Sequence, residues 1–281
     1  MRIAQLGRVG VWANRARLSA DRARELEAHG YGAIWIGGSP GGDLEIAAEL
    51  LGATTSIPVA TGIVNMWRDD AHAIAAAQRR IAARFPDRFL LGVGIGHPEA
   101  TAEYHSPYQT MVDYLDALDA EGVAPPERVL AALGPKALRL AAERTLGAHP
   151  YLTTPEHTRR AREIVGPGVL LAPEQKLVVH DDPGVARALG RRTVADPYLQ
   201  MRNYVANLRR LGFADADFAD GGSDRLVDAL VGHGDAAAAA GRVREHLDAG
   251  ADHVAIQVLA SDAEHARRSY AELADALGLP A

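Results

Sequence analysis

Short apolar runs alternate with longer stretches of helical periodicity along nearly the whole chain. The runs fall at 3–7, 33–37, 57–64, 89–95, 128–133, 148–152, 175–180 and 253–259. Their length and β-branched content predict strands. Between them apolar residues recur at helical spacing. "SADRARELEAHG" opens with Ser19 as its N-cap and closes at Gly30. "DAHAIAAAQRRIAARF" and "PKALRLAAERTLG" read as helices, the second with Pro135 in its first turn. In "TTPEHTRRAREIVG", Thr154 precedes Pro155 at another helix start. This succession of strand–helix units predicts an α/β protein, a closed parallel (β/α)8 TIM barrel. No Pro/Ser linker divides it, so one domain is expected over residues 1–281.

One stretch breaks the rhythm. Between "KLVVH" and "HVAIQVL" the chain reads mostly as helix, through "PGVARALGRRTVADPYLQMRNYVANLRRLGF" and "SDRLVDALVGHGDAAAAAGRVREHLDAG". An enlarged helical connection between strands 7 and 8 accounts for it.

Composition narrows the function classes. The 281 residues suit a barrel of about 250 residues. Scattered charges with a net of −6 argue against nucleic acid and against a polybasic membrane surface. With 0 Cys there is no disulfide framework and no thiolate metal site. "MRIAQLGRVGVW" lacks a signal-peptide core, and no apolar stretch approaches a membrane span. A cytoplasmic protein is expected.

Candidate chemistry gathers at strand ends, where such barrels place their sites. In "RFLLGVGIGHPEA", Gly92, Gly94 and Gly96 strip one face of a strand that ends at His97. The bare face serves either tight interior packing or a flat ligand. It is not a dinucleotide fingerprint, since the third glycine comes one residue early and no helix follows directly. "TGIVNMW" puts Asn65 and Trp67 just past a strand; Trp67 is either a loop anchor or a ligand face. "AALGPKAL" runs through Gly134 into a helix, where exposed N–H groups and Lys136 could bind phosphate, or where an ordinary turn suffices. "AHPYLTTPEHT" repeats the arrangement, with Thr154 as N-cap and Thr153 freer to meet a ligand. His180-Asp181-Asp182 could hold a metal, but Asp182 also reads as an N-cap. His105 and His157 read as loop or helix-surface residues. No H-E-x-x-H or G-x-S-x-G motif is present.

Together "RFLLGVGIGHPEA", "RVLAALGPKALRLAAERTLGAHPYLTTPEHTRRAREIVGP", "LLAPEQ" and "GADHVAIQVL" resemble the luciferase-like monooxygenase superfamily, and within it the coenzyme F420-dependent oxidoreductases. The resemblance implies a barrel enlarged after its seventh strand, a deazaflavin or flavin at the C-terminal mouth, and a homodimer. It also implies a backbone bulge, often with a non-prolyl cis peptide, near Val64 and Asn65. Ring and ribityl contacts would fall at Gly94, Gly96 and His97. A phosphate turn would fall at Leu133, Gly134 and Pro135 with Lys136 nearby, and a hydroxyl at Thr153. Some relatives carry an acid or histidine after the second strand. Here Gly37, Gly38 and Ser39 stand there, so that role is missing or has moved to His97.

The expected function is hydride transfer between F420 and a small organic substrate, with His97 as the catalytic group. Trp12, Trp67 and Tyr104 would shape an aromatic substrate pocket. An FMN-dependent monooxygenase and a non-catalytic deazaflavin-binding protein are the alternatives. No metal, nucleic acid or membrane partner is expected.

Overall fold

A computed structural model describes residues 2–96 and 106–280. The strands are β1 (Val9–Asn14), β2 (Ile34–Gly37), β3 (Val59–Thr61), β4 (Val64–Asn65), β5 (Phe89–Gly94), β6 (Arg128–Leu130), β7 (Gly147–Ala148), β8 (Leu170–Leu171), β9 (Glu174–Val179), β10 (Val231–Gly234) and β11 (Val254–Val258). Every pairing among them is parallel. β3 and β4 both pair with β5 and form one broken barrel strand. β8 and β9 form another, interrupted at Ala172 and Pro173. The sheet closes there: Ala172 N donates to Ala148 O and Glu174 N to Pro150 O, at 2.9 and 2.8 Å. The result is the (β/α)8 barrel.

Alternation along the strands separates two apolar layers. Val11, Ile34, Ile36, Val59, Leu91 and Ile256 face the surrounding helices. Trp12, Trp35, Ala60, Leu90, Val129 and Ala255 face the barrel interior. Helices α1 (Ala20–Ala28), α2 (Glu45–Ala53), α3 (Ala71–Arg84), α4 (Pro107–Ala120), α5 (Pro135–Arg144), α6 (Pro155–Val165) and α11 (Ala263–Leu277) complete the barrel's βα units. Ser19, Thr154 and Asp182 cap helices as their sequences imply, each accepting a backbone N–H of the first turn.

One expectation is corrected. The apolar run 3–7 is not a strand. Ile3–Leu6 forms a 3-10 helix, and the first strand starts at Val9. Leu6 packs with the interior layer, so its burial is met by plugging the barrel rather than by pairing. The connection after β9 is enlarged and mostly helical, as expected, with one short strand in it. It contains α7 (Pro183–Ala195), α8 (Arg202–Arg210), α9 (Asp224–Leu230), then β10, then α10 (Ala236–Asp248). β10 pairs with β9 in the register Val231↔Lys176, covering an edge that would otherwise leave backbone groups unpaired. The connection also has its own apolar cluster, built on Val194, Leu208, Phe213, Leu226 and Leu230 around Val178 of β9.

Among the described residues no helix is long and apolar enough to cross a membrane.

Candidate active site at the barrel mouth

The C-terminal ends of the strands surround a cavity of about 380 Å³. Three larger grooves, about 750, 700 and 420 Å³, lie between α1 and α11, beside α3 and α4, and between α7 and the end of β11. The mouth cavity is the one whose lining joins the ends of β1, β2, β4, β5, β6 and β7 and includes the buried, unpaired Nε2 of His149, and it sits where barrel chemistry is built.

One wall is aromatic. Trp12, at the end of β1, donates from Nε1 to Gly62 O at 3.0 Å. Its ring lies 5.2 Å from that of Tyr151. Tyr198 donates its hydroxyl proton to Tyr151 at 2.9 Å, and Tyr151 donates to Gln257 Oε1 at 3.0 Å. Tyr204 of α8 stands edge-on to Tyr198, with centroids 5.1 Å apart. Burial raises the Tyr198 phenol to about 12, so it remains protonated. Beneath this wall Lys176 Nζ sits 3.8 Å from the Tyr151 ring centroid and 3.0 Å from Glu174 Oε1. Both members of the pair are fully buried. Burial pushes the lysine down and the carboxyl up, and their mutual attraction opposes both shifts.

The floor holds His149. Burial lowers it to about 4, so the imidazole is neutral near pH 7.

The far wall suits an anion. Gly134 caps the N-terminus of α5 without a side-chain partner. A Cβ built on Gly134 would fall 3.7 Å from Nη2 of Arg210, at the end of α8. Asn207 Oδ1 accepts from that guanidinium at 3.3 Å. His157 is hydrogen-bonded through Nε2 to Leu133 O at 2.9 Å. Two buried atoms able to donate have no hydrogen-bond partner, Thr153 Oγ1 just before α6 and Asn207 Nδ2 on α8, whereas His157 Nδ1, whose Nε2 donates to Leu133 O, is an unpaired acceptor. An unpaired buried amide N–H on the residue that steadies a guanidinium beside a helix N-terminus fits a phosphate, whereas the His157 lone pair does not.

The expected site residues distribute unevenly. Trp12, Asn65, Gly96, Leu133 and Gly134 all line the cavity. Pro135 and Lys136 are exposed at the rim, in the first turn of α5. Thr153 is buried behind the wall. Val64 is fully buried in the strand–helix layer, away from the cavity. Trp67 lines the groove beside α3 and α4, and its backbone N donates to Asn65 Oδ1. His97, Tyr104 and His105 lie outside the described residues. The non-prolyl cis peptide among the described residues is Gly62–Ile63, between β3 and β4 and directly before Val64 and Asn65. His157 is a buried core residue, not a surface one. Asp182 is an N-cap, and among the described residues no group of three or more His, Cys, Asp or Glu is placed to hold a metal.

The glycine stripe faces the interior but is not open at its centre. A Cβ on Gly92 would meet Thr61 O at 1.8 Å. One on Gly94 would meet Ala131 Cβ at 2.8 Å and Ile63 Cγ1 at 3.0 Å. Neighbouring atoms therefore fill the bare face up to Gly94, and of the three glycines Gly96 lines the cavity. Gly94→Val is expected to overpack this contact and cost about 1–3 kcal/mol, measured by chemical denaturation. An unchanged unfolding midpoint would contradict the packing reading.

Asn14, His149, Tyr151, Tyr198, Asn203, Tyr204 and Arg210 are not among the residues the sequence singled out. "AHPYLTT" is informative for its threonines, while its histidine and tyrosine carry no periodic signal. The others come from β1 and from the enlarged connection, which only the fold brings to the mouth.

The architecture is a parallel (β/α)8 barrel with an enlarged seventh connection and an aromatic cavity at its C-terminal mouth. The luciferase-like monooxygenase profile matches residues 4–253, and the chain belongs to that family. No curated protein sequence matches it. Among solved structures it is similar to an F420-dependent secondary alcohol dehydrogenase in complex with an F420–acetone adduct. That likeness has 14% identity and TM-score 0.75, covering 96% of this chain and 98% of the other. It is also similar to the F420-dependent tetrahydromethanopterin reductase from Methanopyrus kandleri, at 12% identity and TM-score 0.69, covering 96% and 98%. A third likeness is the oxygenating constituent of 3,6-diketocamphane monooxygenase from Pseudomonas putida in complex with FMN. It has 14% identity and TM-score 0.72, covering 97% and 99%. At these identities the likeness concerns the fold, and its members include both F420- and FMN-dependent enzymes.

Proposed function

We propose that this protein is an F420-dependent oxidoreductase that moves a hydride between the deazaflavin and a small organic substrate. The carrying observation is the anion-ready wall: an uncapped α5 N-terminus faced by Arg210, with Asn207 Nδ2 buried and unpaired on the residue that steadies that guanidinium, and Thr153 Oγ1 buried and unpaired just before α6. Those residues would hold the cofactor's phosphate. Trp12, Tyr151 and Tyr198 would flank its ring system and exclude water from it. When bound, a deazaflavin supplies hydride exchange with a carbon centre; the chain's own residues bind and orient.

The acidic tail of F420 favours cations beyond the phosphate. Lys136 and Arg139 on α5 have no ion-pair partner among the described residues and remain available for it. Arg159 and Arg160, which also follow the phosphate turns, are instead engaged by Glu156. FMN shares the ring and phosphate but lacks that tail, so titrating the protein separately with both compounds tests the reading. F420 is expected to bind more tightly, with an affinity that falls as salt rises. Equal or tighter FMN binding would favour a flavin monooxygenase on the same fold. Failure of both to bind would remove the cofactor reading.

A further inference from the structure

At the cavity floor His149 is only half used. Its Nδ1 lies 2.7 Å from Ala172 O. A carbonyl can only accept, so Nδ1 carries the proton and Nε2 presents a bare lone pair. That Nε2 is buried and has no hydrogen-bond partner. The ring is not free to turn. It stacks on Trp35 with centroids 4.2 Å apart and planes within 12°. Trp35 is itself fixed by donation to His253 Nε2 at 2.9 Å, and His253 Nδ1 is bonded to Gly7 O at 2.9 Å. Gly62, which lines the same cavity, puts no side chain over the lone pair. A Cβ there would fall 3.2 Å from His149 Nε2 and 2.8 Å from Trp12 Nε1. A rigid acceptor buried without a partner calls for one from outside the chain.

We infer that His149 Nε2 accepts a hydrogen bond from the cavity ligand, and that the donor is the imide N–H on the pyrimidinedione edge of the ring system. The inference rests on the cofactor reading above. It holds for either candidate, because F420 and FMN share that edge. His149 is then a positioning residue: it sets the depth and orientation of the ring, and the proton stays on the imide.

The experiment uses full-length protein carrying ¹⁵N-labelled histidine, titrated with F420, with FMN and with FMN methylated at the imide nitrogen. The Nε2 resonance of His149, identified by its loss in His149→Asn, is expected to move on saturation with F420 or FMN. Wild-type protein should prefer FMN over the methylated compound by about tenfold, the scale of one neutral hydrogen bond. His149→Asn keeps a donor for Ala172 O but loses the acceptor, so that preference should vanish. His149→Gln, whose amide reaches the position of Nε2, should restore part of it. A histidine that serves packing alone would lower affinity for FMN and its methylated form equally. Saturation without movement of the Nε2 resonance, or an undiminished preference in His149→Asn, overturns the assignment and leaves the cofactor reading intact. If neither F420 nor FMN binds, both fall.

Discussion

Arg210→Ala is expected to weaken binding of a phosphate-bearing cofactor by about 10–100-fold, the loss for a hydrogen bond to a charged group. The guanidinium sits 3.7 Å from the position of a Gly134 Cβ and is steadied by Asn207 Oδ1. It therefore adds a full charge to the partial positive charge of the α5 N-terminus. The substitution removes no buried apolar contact of the barrel, so the unfolding midpoint should change little. Arg210→Lys should recover only part of the affinity, because an ammonium lacks the planar fork. Isothermal titration at two salt concentrations checks this, with the salt dependence expected to flatten in the alanine variant. An alanine variant of unaltered affinity would move the anion site away from this wall.

Lys176→Met is expected to have the largest effect on stability. It leaves Glu174 buried without its counter-ion, and breaking a buried pair on one side costs about 3–5 kcal/mol. The dependence on pH has a definite sign. Burial raises the Glu174 carboxyl, and without Lys176 nothing of opposite charge within 4 Å offsets it. A folded-state value above the unfolded one means that the native protein binds the extra proton. The variant should therefore lose stability as pH rises above the ordinary carboxyl range, and its deficit should shrink at lower pH. Glu174→Gln in the same chain should recover much of the loss. Urea denaturation across pH provides the measurement, and a deficit independent of pH would refute the account. Tyr151 also loses the cation beneath its ring, so cofactor affinity should drop in the single variant.

The regular part of the barrel is legible in the sequence because each unit is locally consistent. Ser19, Thr154 and Asp182 announce helix starts by hydrogen bonds made within three residues. Strand β5 shows its alternation directly in "FLLGVG". What escapes is decided at long range. Ile3–Leu6 has the composition of a strand, and only the open end of a closed barrel gives Leu6 a better burial. The four residues of β10 are too short for a periodic signal, and their pairing partner lies more than fifty positions earlier. The glycine stripe was visible, but the atoms that fill it belong to Thr61, Ile63 and Ala131 on neighbouring strands. The site follows the same division. Trp12, Asn65, Gly96, Leu133 and Gly134 reach the cavity from strand ends whose place in the barrel follows from chain order. His149 becomes distinctive only once Trp35 stacks on it and Ala172 fixes its proton. Arg210 meets Gly134 only because α8 folds back across the mouth.

That return of α8 makes one side of the mouth from the connection and the other from the barrel. The connection has an apolar cluster of its own, and Tyr204, Asn207 and Leu208 are buried on the α8 face that meets the barrel. A ligand in the cavity would touch Trp12 and Gly134 on one side and Tyr198, Asn203 and Tyr204 on the other. It would then act as a clasp between the two sides. Binding there would also count as stabilisation of the contact between connection and barrel, because a ligand that bridges them favours the state in which both are in place.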